Sequence, residues 1–378
     1  MNAATEPKTN LLGLDRTGLT EFIVGLGEKP FRARQLLTWL YKRRVADFGA
    51  MTDLAKGFRE RLAAVAEVRL PEVLSEHVSH DGTRKWLLKA AASADATAAP
   101  LQAIEMVFIP EPGRGTLCIS SQVGCAMDCS FCSTGAQGFN RNLSTAEIVG
   151  QVWLANSLLG AAADGARAVT NVVLMGMGEP LANYRNVLPA LSVFMDDLCF
   201  DLSRRRVTLS TSGLVPQMYR LAEDTNCALA VSLHAPNDEL RNQLVPINRR
   251  HPIKELLEAC WHYLDAQNGR SITFEYVLLD GVNDQPEHAI ELARLLRGRD
   301  AKVNLIPFNP FPGNQYRRSG REAIARFCDL LHERAITATV RRTRGDDIDA
   351  ACGQLAGEVT DRVTVRLGSK RFGMAVEA

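Results

Sequence analysis

Between residues 15 and 68 apolar positions recur at helical spacing. Phe31, Leu36, Leu37, Leu40 and Tyr41 fit one helix face, with Pro30 suited to its first turn. Leu54, Phe58, Leu62 and Val65 mark the next helix at i, i+4, i+8 and i+11. The pattern then changes. His80-Asp-Gly-Thr83 has the composition of a hairpin turn leading into Lys85-Trp-Leu-Leu-Lys89, and Ile104-Glu-Met-Val-Phe-Ile109 predicts a strand closed by Pro110. From residue 116 to about residue 340 short apolar runs alternate with helical patterns. Strands are expected at 116–120, 171–175, 206–211, 228–233, 272–278 and 302–307. Helices lie between them, for example at 144–159, 253–267 and 287–296, the first opened by the capping-box form Ser144-Thr-Ala-Glu147. Six β–α steps imply a parallel sheet with right-handed crossovers. Functional residues are then expected in the loops at the carboxyl ends of the strands. Periodicity leaves open whether the sheet closes.

Four segments follow from this rhythm. Residues 1–70 form a helical unit behind a loose tail, 71–115 a β-rich connector, 116–340 the β–α series and 341–378 a C-terminal extension. The extension begins as a charged loop of small residues, Arg341-Arg-Thr-Arg-Gly-Asp-Asp-Ile-Asp-Ala-Ala-Cys352, and continues into a helix candidate. The small-residue run 90–99 has no periodicity and predicts a mobile surface loop.

Composition changes the picture in two places. The chain has 378 residues, 44 Lys+Arg, 43 Asp+Glu and a net charge of +1, which excludes a uniformly basic nucleic-acid coat but not a local patch. Nine basic residues stand between 29 and 61 against three acidic ones, a local excess of six. Alone this reads as a solvated helix face, with an RNA-backbone surface as the alternative. No run approaches the ~20 apolar residues of a membrane span, and the polar start lacks a secretory core, so a soluble cytoplasmic protein is expected. Nine cysteines in so long a chain argue against a disulfide scaffold.

Three of the nine crowd into Gly124-Cys-Ala-Met-Asp-Cys-Ser-Phe-Cys132, directly after the first strand of the β–α series. Three thiolates on a short loop can hold three corners of an iron–sulfur cluster and leave one iron open. A structural zinc site needs a fourth ligand, and none stands near in sequence. An incomplete zinc site, a redox pair or chance are the alternatives that spacing and strand-end placement disfavour. Cys118 lies in an apolar strand and reads as a buried structural thiol, whereas Cys352, between Ala351 and Gly353 on a polar loop, is poorly explained as core. Cys199, Cys227, Cys260 and Cys328 read as core fillers, and Glu105 as an outward strand residue.

The Cys-x3-Cys-x2-Cys motif, with Phe131 before its last cysteine, resembles the signature of the radical S-adenosylmethionine (SAM) superfamily. The wider wording is similar to the RlmN family of bacterial dual-specificity 23S rRNA and tRNA adenine-C2 methyltransferases. The matching stretches are Ser121 to Gly135, Met175-Gly-Met-Gly-Glu-Pro180, Leu209-Ser-Thr-Ser-Gly213, Ser232-Leu-His-Ala-Pro-Asn237, Asn304 to Gly313 and Arg344 to Leu355. The resemblance runs from about Leu12 to about Leu367. It implies a radical-SAM six-step (β/α) partial barrel with a helical, RNA-binding N-terminal domain and a C-terminal extension. It implies a 4Fe–4S cluster on Cys125, Cys129 and Cys132, and SAM lined by Gly178, Glu179, Ser210, Ser232, Leu233, His234 and Asn309. Singly these residues read as turn chemistry; at successive strand ends they read as a ligand site, with Gly176 and Gly178 letting backbone approach it and Glu179 accepting from an ammonium.

The same resemblance implies a two-stage chemistry. Cys352 takes a methyl group from one SAM; a second SAM yields the 5′-deoxyadenosyl radical that activates the S-methyl group for addition to the adenine. The resulting RNA–protein adduct loses a proton, to Glu105, and an electron, and is released when Cys118 attacks the Cys352 sulfur. A reductant such as flavodoxin is implied, and Arg317, Arg318, Arg341, Arg342 and Arg344 become candidate phosphate contacts. The related Cfr type, acting at adenine C8, and a non-catalytic iron–sulfur RNA-binding or redox-sensing protein remain as alternatives. The sequence leaves the oligomeric state open.

Overall fold

A computed structural model of the chain describes residues 7–91, 101–160, 167–267 and 271–362. Two short parallel strands, β1 (Thr9–Asn10) and β2 (Ala66–Glu67), bracket an N-terminal helical unit. Its helices are Arg16–Gly25, Phe31–Leu37 with a π-helical continuation Thr38–Lys42, and Lys56–Val65. Leu36, Leu37, Leu40, Tyr41, Phe58 and Leu62 are buried as the periodicity expects. Phe31 and Val65 are exposed instead, because each sits at a helix end, turned away from the packed face. Leu54 is buried but precedes the helix it was expected to open.

An antiparallel ribbon follows: β3 (Glu72–Val78), β4 (Arg84–Lys89) and β5 (Ala103–Glu111). The turn at residues 79–83 is the expected hairpin. Pro110 does not close β5. The strand continues to Glu111 and turns into β6 (Arg114–Cys118), Pro110 facing Gly115. Proline is tolerated there because β4 pairs only as far as Phe108, so no ladder partner on that side lacks its N–H.

After a small hairpin, β7 (Gln122–Gly124) with β8 (Phe139–Asn142), the parallel series continues. Its strands are β9 (Asn171–Leu174), β10 (Val207–Thr211), β11 (Ala228–Ser232), β12 (Ile272–Leu278), β13 (Ala301–Pro307) and β14 (Thr337–Val340). One ten-stranded sheet results, in the order β14-β13-β12-β11-β10-β9-β6-β5-β4-β3. Seven strands run parallel, one more than the six expected, since β14 adds a short last strand. The sheet stays open. Its β6 side is extended by the antiparallel ribbon rather than joined to β14.

Helix Thr145–Leu159 is buried over most of its length because it is covered twice, by the sheet and by the N-terminal unit. Trp153 Nε1 donates to Leu40 O at 2.8 Å, and Arg44 to Asn156 O at 2.5 Å. Arg16 adds an ion pair to Asp196 at 2.5 Å, beyond helix Tyr184–Met195. The expected loop at 90–99 lies, from residue 92 onward, outside the described residues. The helix candidate after Cys352 is not found as far as Arg362, where the extension carries only the 3-10 turn Asp346–Ile348; its remainder lies outside the described residues. Among the described residues no helix is long and apolar enough to cross a membrane.

Both bonds of the Ser144–Glu147 capping box form, and Glu147 also accepts from Arg141 Nη2 at 2.7 Å and Ala91 N at 3.0 Å. Burial alone would raise its carboxyl, but Arg141 and the N–H donors outweigh that and hold it below the usual carboxylate range. A depressed carboxylate stabilises the fold above its unfolded pKa, and that contribution is lost as pH falls through the folded value. Glu147→Gln is therefore expected to melt lower than the parent at pH 7, with the gap narrowing on acidification toward pH 3. Ser144→Ala is expected to cost ~1 kcal/mol. Denaturant titration across pH checks both; a gap that widens in acid would contradict the assignment.

Candidate active site

The carboxyl ends of the parallel strands surround one cavity of about 900 Å³, counting its open mouth. Cys125, Cys129 and Cys132 line it from the loop between β7 and helix Ser133–Gln137, where Cys132 is the N-cap residue. Cys132 N donates to Cys129 O, Cys125 N to Gly138 O and Ser130 N to Leu244 O, which fixes the loop at three points. Desolvation pushes all three thiols above the ordinary range, and repulsion from the other two adds to it at Cys129. Left alone such thiols are neutral and poorly nucleophilic; ligated iron would ionise them. Among the described residues no group of three His, Cys, Asp or Glu is arranged to hold a single metal ion. A cluster asks for less convergence, since each thiolate binds a different iron, and three thiols lining one cavity fit that donor set.

Gly178, Glu179, Ser210, Ser232 and His234 line the same cavity. Leu233 does not: it is fully buried, with its N–H bonded to Glu275 O and its carbonyl to Arg241 Nε. Asn309 lines an adjoining smaller cavity with Cys352, and both ends of its amide are committed. Its Nδ2 donates to Cys352 O at 3.2 Å and its Oδ1 accepts from Arg318 at 2.6 Å, so it holds the Cys352 loop. Glu179 is also committed, accepting from Leu181 N, Ser212 N and Ser212 Oγ at 2.6–3.0 Å. Burial raises its carboxyl despite these donors. The glycines serve packing more than ligand approach. A Cβ on Gly176 would meet Ile119 O at 2.6 Å, and Gly178 has φ +101° with Gln122 Cβ 2.5 Å from where its own Cβ would stand. They let the loop after β9 lie against the segment that leads to the cysteines. His234 sits at φ +60°, its Nδ1 accepting from Val277 N at 3.0 Å and its ring edge-on to Phe131. Burial lowers its pKa to about 3, so it is neutral.

Cys352 reaches this cavity from the far end of the chain. Ser133 N donates to Gly353 O at 2.8 Å and Thr134 Oγ1 to Leu355 O at 2.6 Å, tying its loop to the helix that follows Cys132. The other side is held by the antiparallel ribbon. Glu105 is buried rather than outward; it pairs with Lys85 at 3.1 Å and accepts from Ala356 N at 2.9 Å, while Lys85 also donates to Asp349 O. Ala103 and Glu358 exchange two backbone bonds, and Ser79 donates to Asp347 at 2.5 Å. Cys118, at the end of β6, is buried; burial first, and then the nearby Cys352, push its thiol up to about 12. Cys199, Cys227 and Cys260 are buried as expected, but Cys328 is only half-buried because it lies toward the outer side of helix Arg321–His332.

Two cavity residues escaped the sequence reasoning. Glu275 is a lone acid inside apolar β12, held by Asn304 Nδ2 at 2.8 Å. Arg341 was grouped with the candidate phosphate contacts, yet it immediately follows β14 and lines both cavities, its charge favoured first by Cys352 and then by Glu275 and Cys118. Arg318 and Arg344 are likewise spoken for, by Phe308 O and Asn309, and by Asp81 at 3.6 Å.

An open parallel β/α sheet with three cysteines at the head of a strand-end cavity is the architecture of a radical SAM enzyme. Residues 119–293 match the model of the Radical SAM superfamily, and residues 9–68 that of the ribosomal RNA large subunit methyltransferase N-terminal domain. The crystal structure of a radical SAM methyltransferase from Sphaerobacter thermophilus superposes with a TM-score of 0.83 at 45% identity, covering 92% of this chain and 99% of that one. A dual-specificity RNA methyltransferase RlmN of Pseudomonas putida (strain W619) is 56% identical over 357 residues, 94% of this chain and 92% of the relative, and that of strain GB-1 matches equally. The chain belongs to the RlmN family of radical SAM RNA methyltransferases.

Because Cys118 is both enclosed and held as a thiol, iodoacetamide at pH 8 is expected to alkylate it at least tenfold more slowly than an unfolded cysteine. Peptide mass spectrometry with and without denaturant checks this. Equal rates would contradict the burial.

Proposed function

We propose that this enzyme methylates carbon 2 of an adenosine in the peptidyl-transferase region of 23S rRNA, and of the adenosine 3′ to the anticodon in some tRNAs, through S-methylated Cys352. The observation that carries the proposal is that Cys352, some 220 residues beyond the cluster motif, opens into the cavity those cysteines line. Cys125, Cys129 and Cys132 are the residues to hold a 4Fe–4S cluster, and Ser210, Ser232, His234 and the Gly178-Glu179 turn to line SAM. When bound, cluster and SAM supply a methyl group and a 5′-deoxyadenosyl radical, two SAM being used per turnover.

The chain's own residues do the rest. Amidine carbon C2 has no lone pair with which to attack a sulfonium methyl, so the methyl group needs a sulfur carrier. Cys352 supports that role because its thiol faces the cavity that the Arg341 guanidinium also lines. The methyl carbon on Cys352, after giving up one hydrogen atom to the 5′-deoxyadenosyl radical, would then bond to C2. Once the C2 proton and one electron are lost, the electron to the oxidised cluster that would accept it, the Cys118 sulfur gives up its own proton and attacks the Cys352 sulfur; the carbon–sulfur bond breaks, the released methylene takes up a proton to complete the methyl group, and a Cys118–Cys352 disulfide is left. An external two-electron reductant restores the thiols; flavodoxin is a candidate source of the low-potential electrons. Neutral His234 and enclosure by Phe131 and Phe308 keep stray protons and water from the radical step.

Glu105 is proposed as the acceptor of the C2 proton, and its ties to Lys85 and Ala356 N mean that it does so only after one of them is released. The N-terminal unit, 1–70, is proposed to contact RNA backbone. Arg32 and Arg61 are paired with Glu28, and Lys42 with Asp201, so its effective surplus is smaller than the composition suggests. Arg342 stays exposed for phosphate contact, and Arg317 is exposed but paired with Asp280 at 3.4 Å. The target base must leave its stack to enter the cavity. A bacterial cytoplasmic setting fits the RNA substrates.

Reconstituted enzyme is expected to convert adenosine in rRNA and tRNA fragments to 2-methyladenosine, read by nucleoside mass spectrometry; 8-methyladenosine in its place would sink the C2 assignment. Cys352→Ala is expected to cleave SAM yet transfer no methyl, and Cys118→Ala to accumulate a covalent RNA adduct visible on a denaturing gel. Methylation by Cys352→Ala at a tenth of the parent rate or more would contradict the carrier role.

A further inference from the structure

Arg241, on helix Asp238–Leu244, is fully buried (0% exposed), and each of its partners is a neutral oxygen. Its Nε donates to Leu233 O at 3.1 Å, Nη1 to Asn248 Oδ1 at 2.8 Å, and Nη2 to Ser212 O at 2.8 Å and Ser232 O at 3.0 Å. Among the described residues it has no ion pair. A buried cation without an anion is a costly arrangement, and proteins rarely keep one uncompensated. Burial draws its pKa down to about 10, and of the groups that oppose this Cys129 ranks first, ahead of Cys260 and Asp238.

The location says where the missing anion belongs. Ser212 and Ser232, whose carbonyls Arg241 grips, line the cavity together with Cys129. Leu244, at the end of the same helix, accepts from Ser130 N in the cysteine loop at 3.1 Å. The guanidinium therefore lies behind the cavity wall formed at the ends of β10 and β11, on the side of Cys129, sealed from solvent. Three thiolates with their irons form an assembly of net negative charge, and it gains one more negative charge on reduction.

We propose that Arg241 is the internal counter-charge of the iron–sulfur cluster: it favours the reduced over the oxidised cluster and so sets how readily the enzyme accepts the electron that starts its chemistry. The electron comes from an external low-potential one-electron donor. No bond to Arg241 forms or breaks; its charge acts through the low-dielectric wall. This rests on the reading that Cys125, Cys129 and Cys132 hold the cluster, which iron content and the electron paramagnetic resonance signal of the parent protein test separately. A parent without a cluster removes that reading; a loaded cluster with an unmoved potential removes only this inference.

The test is a dithionite titration with redox mediators, followed by electron paramagnetic resonance, on reconstituted full-length parent, Arg241→Met, Arg241→Gln and Arg241→Lys. At the parent's midpoint the reduced-to-oxidised ratio is expected to fall about tenfold in the Met and Gln variants, equal to about 59 mV for a one-electron couple. Lys, which keeps the charge, stays within threefold of the parent. Unchanged ratios in Met and Gln, or a Lys variant shifted as far as they are, would overturn the proposal and leave Arg241 as a latch between strand ends. If Met and Gln take up no iron, the apo chains decide. An uncompensated charge is a burden without the cluster, so apo Arg241→Gln is expected to melt no lower than apo Arg241→Lys, and a lower value overturns the proposal.

Discussion

The segment from Asp349 to Arg362 has no helix or strand ladder of its own, yet it must present one thiol at a fixed point inside a cavity built by the rest of the chain. Its backbone groups find partners on two flanks instead. On one flank are Ser133 and Thr134, directly after Cys132; on the other are Ala103, Glu105 and Lys85 of the antiparallel ribbon. Asn309 and Gln354 close the third side, Gln354 donating to Pro310 O at 3.1 Å. The ribbon at the β6 side of the sheet thus has a purpose beyond covering an edge. Without it the loop would lose the ties of its Asp349, Ala356 and Glu358 backbone to Lys85, Glu105 and Ala103.

Electrostatics give the same cavity its chemical character. Cys118, Cys125, Cys129, Glu179 and Glu275 are all pushed toward their neutral forms by enclosure, and His234 is kept neutral. Against them stand two arginines. Arg341 lies in the cavity beside Cys352, and Arg241 lies behind its wall. An apolar chamber with two fixed cations suits chemistry that needs thiolates and an added electron while excluding loose protons. Cys199, Cys227 and Cys260 are buried away from the cavity and fill core, whereas Cys118 interacts with Arg341 and Cys129 with Arg241.

Much of this was legible in residue order. The alternation of short apolar runs with helical patterns located strands β9 to β13 to within a residue at each end, because buried parallel strands are nearly continuous in Val, Leu and Ile. The capping box at Ser144 and the turn before Thr83 are local signals and appeared where expected. Long-range closeness left weaker traces. Leu233 was grouped with its neighbours Ser232 and His234, but alternation along the strand end turns it into the core. Arg341 looked like one more basic residue in a basic stretch, and only its place at the mouth of β14 shows that it points at Cys352. Glu105 looked outward because its partner Lys85 stands on another strand, 20 residues away in sequence and opposite in register to its neighbour Val107. Arg241 carries no local signal, since nothing in Asp238-Glu-Leu-Arg-Asn-Gln-Leu244 marks a buried cation.

The central claim is that the methyl group reaches RNA by way of Cys352 and not directly from SAM. A pulse–chase experiment tests it most directly. Enzyme is first methylated with SAM bearing a CD3 group, freed of unbound cofactor, and then given RNA, reductant and unlabelled SAM for one turnover. The account predicts that the new methyl group on adenine carries two deuteriums from the pulse, the third having been abstracted, in an amount equal to the labelled Cys352 that disappears. A first-turnover product whose methyl comes from the unlabelled chase, with the label still on Cys352, would contradict it.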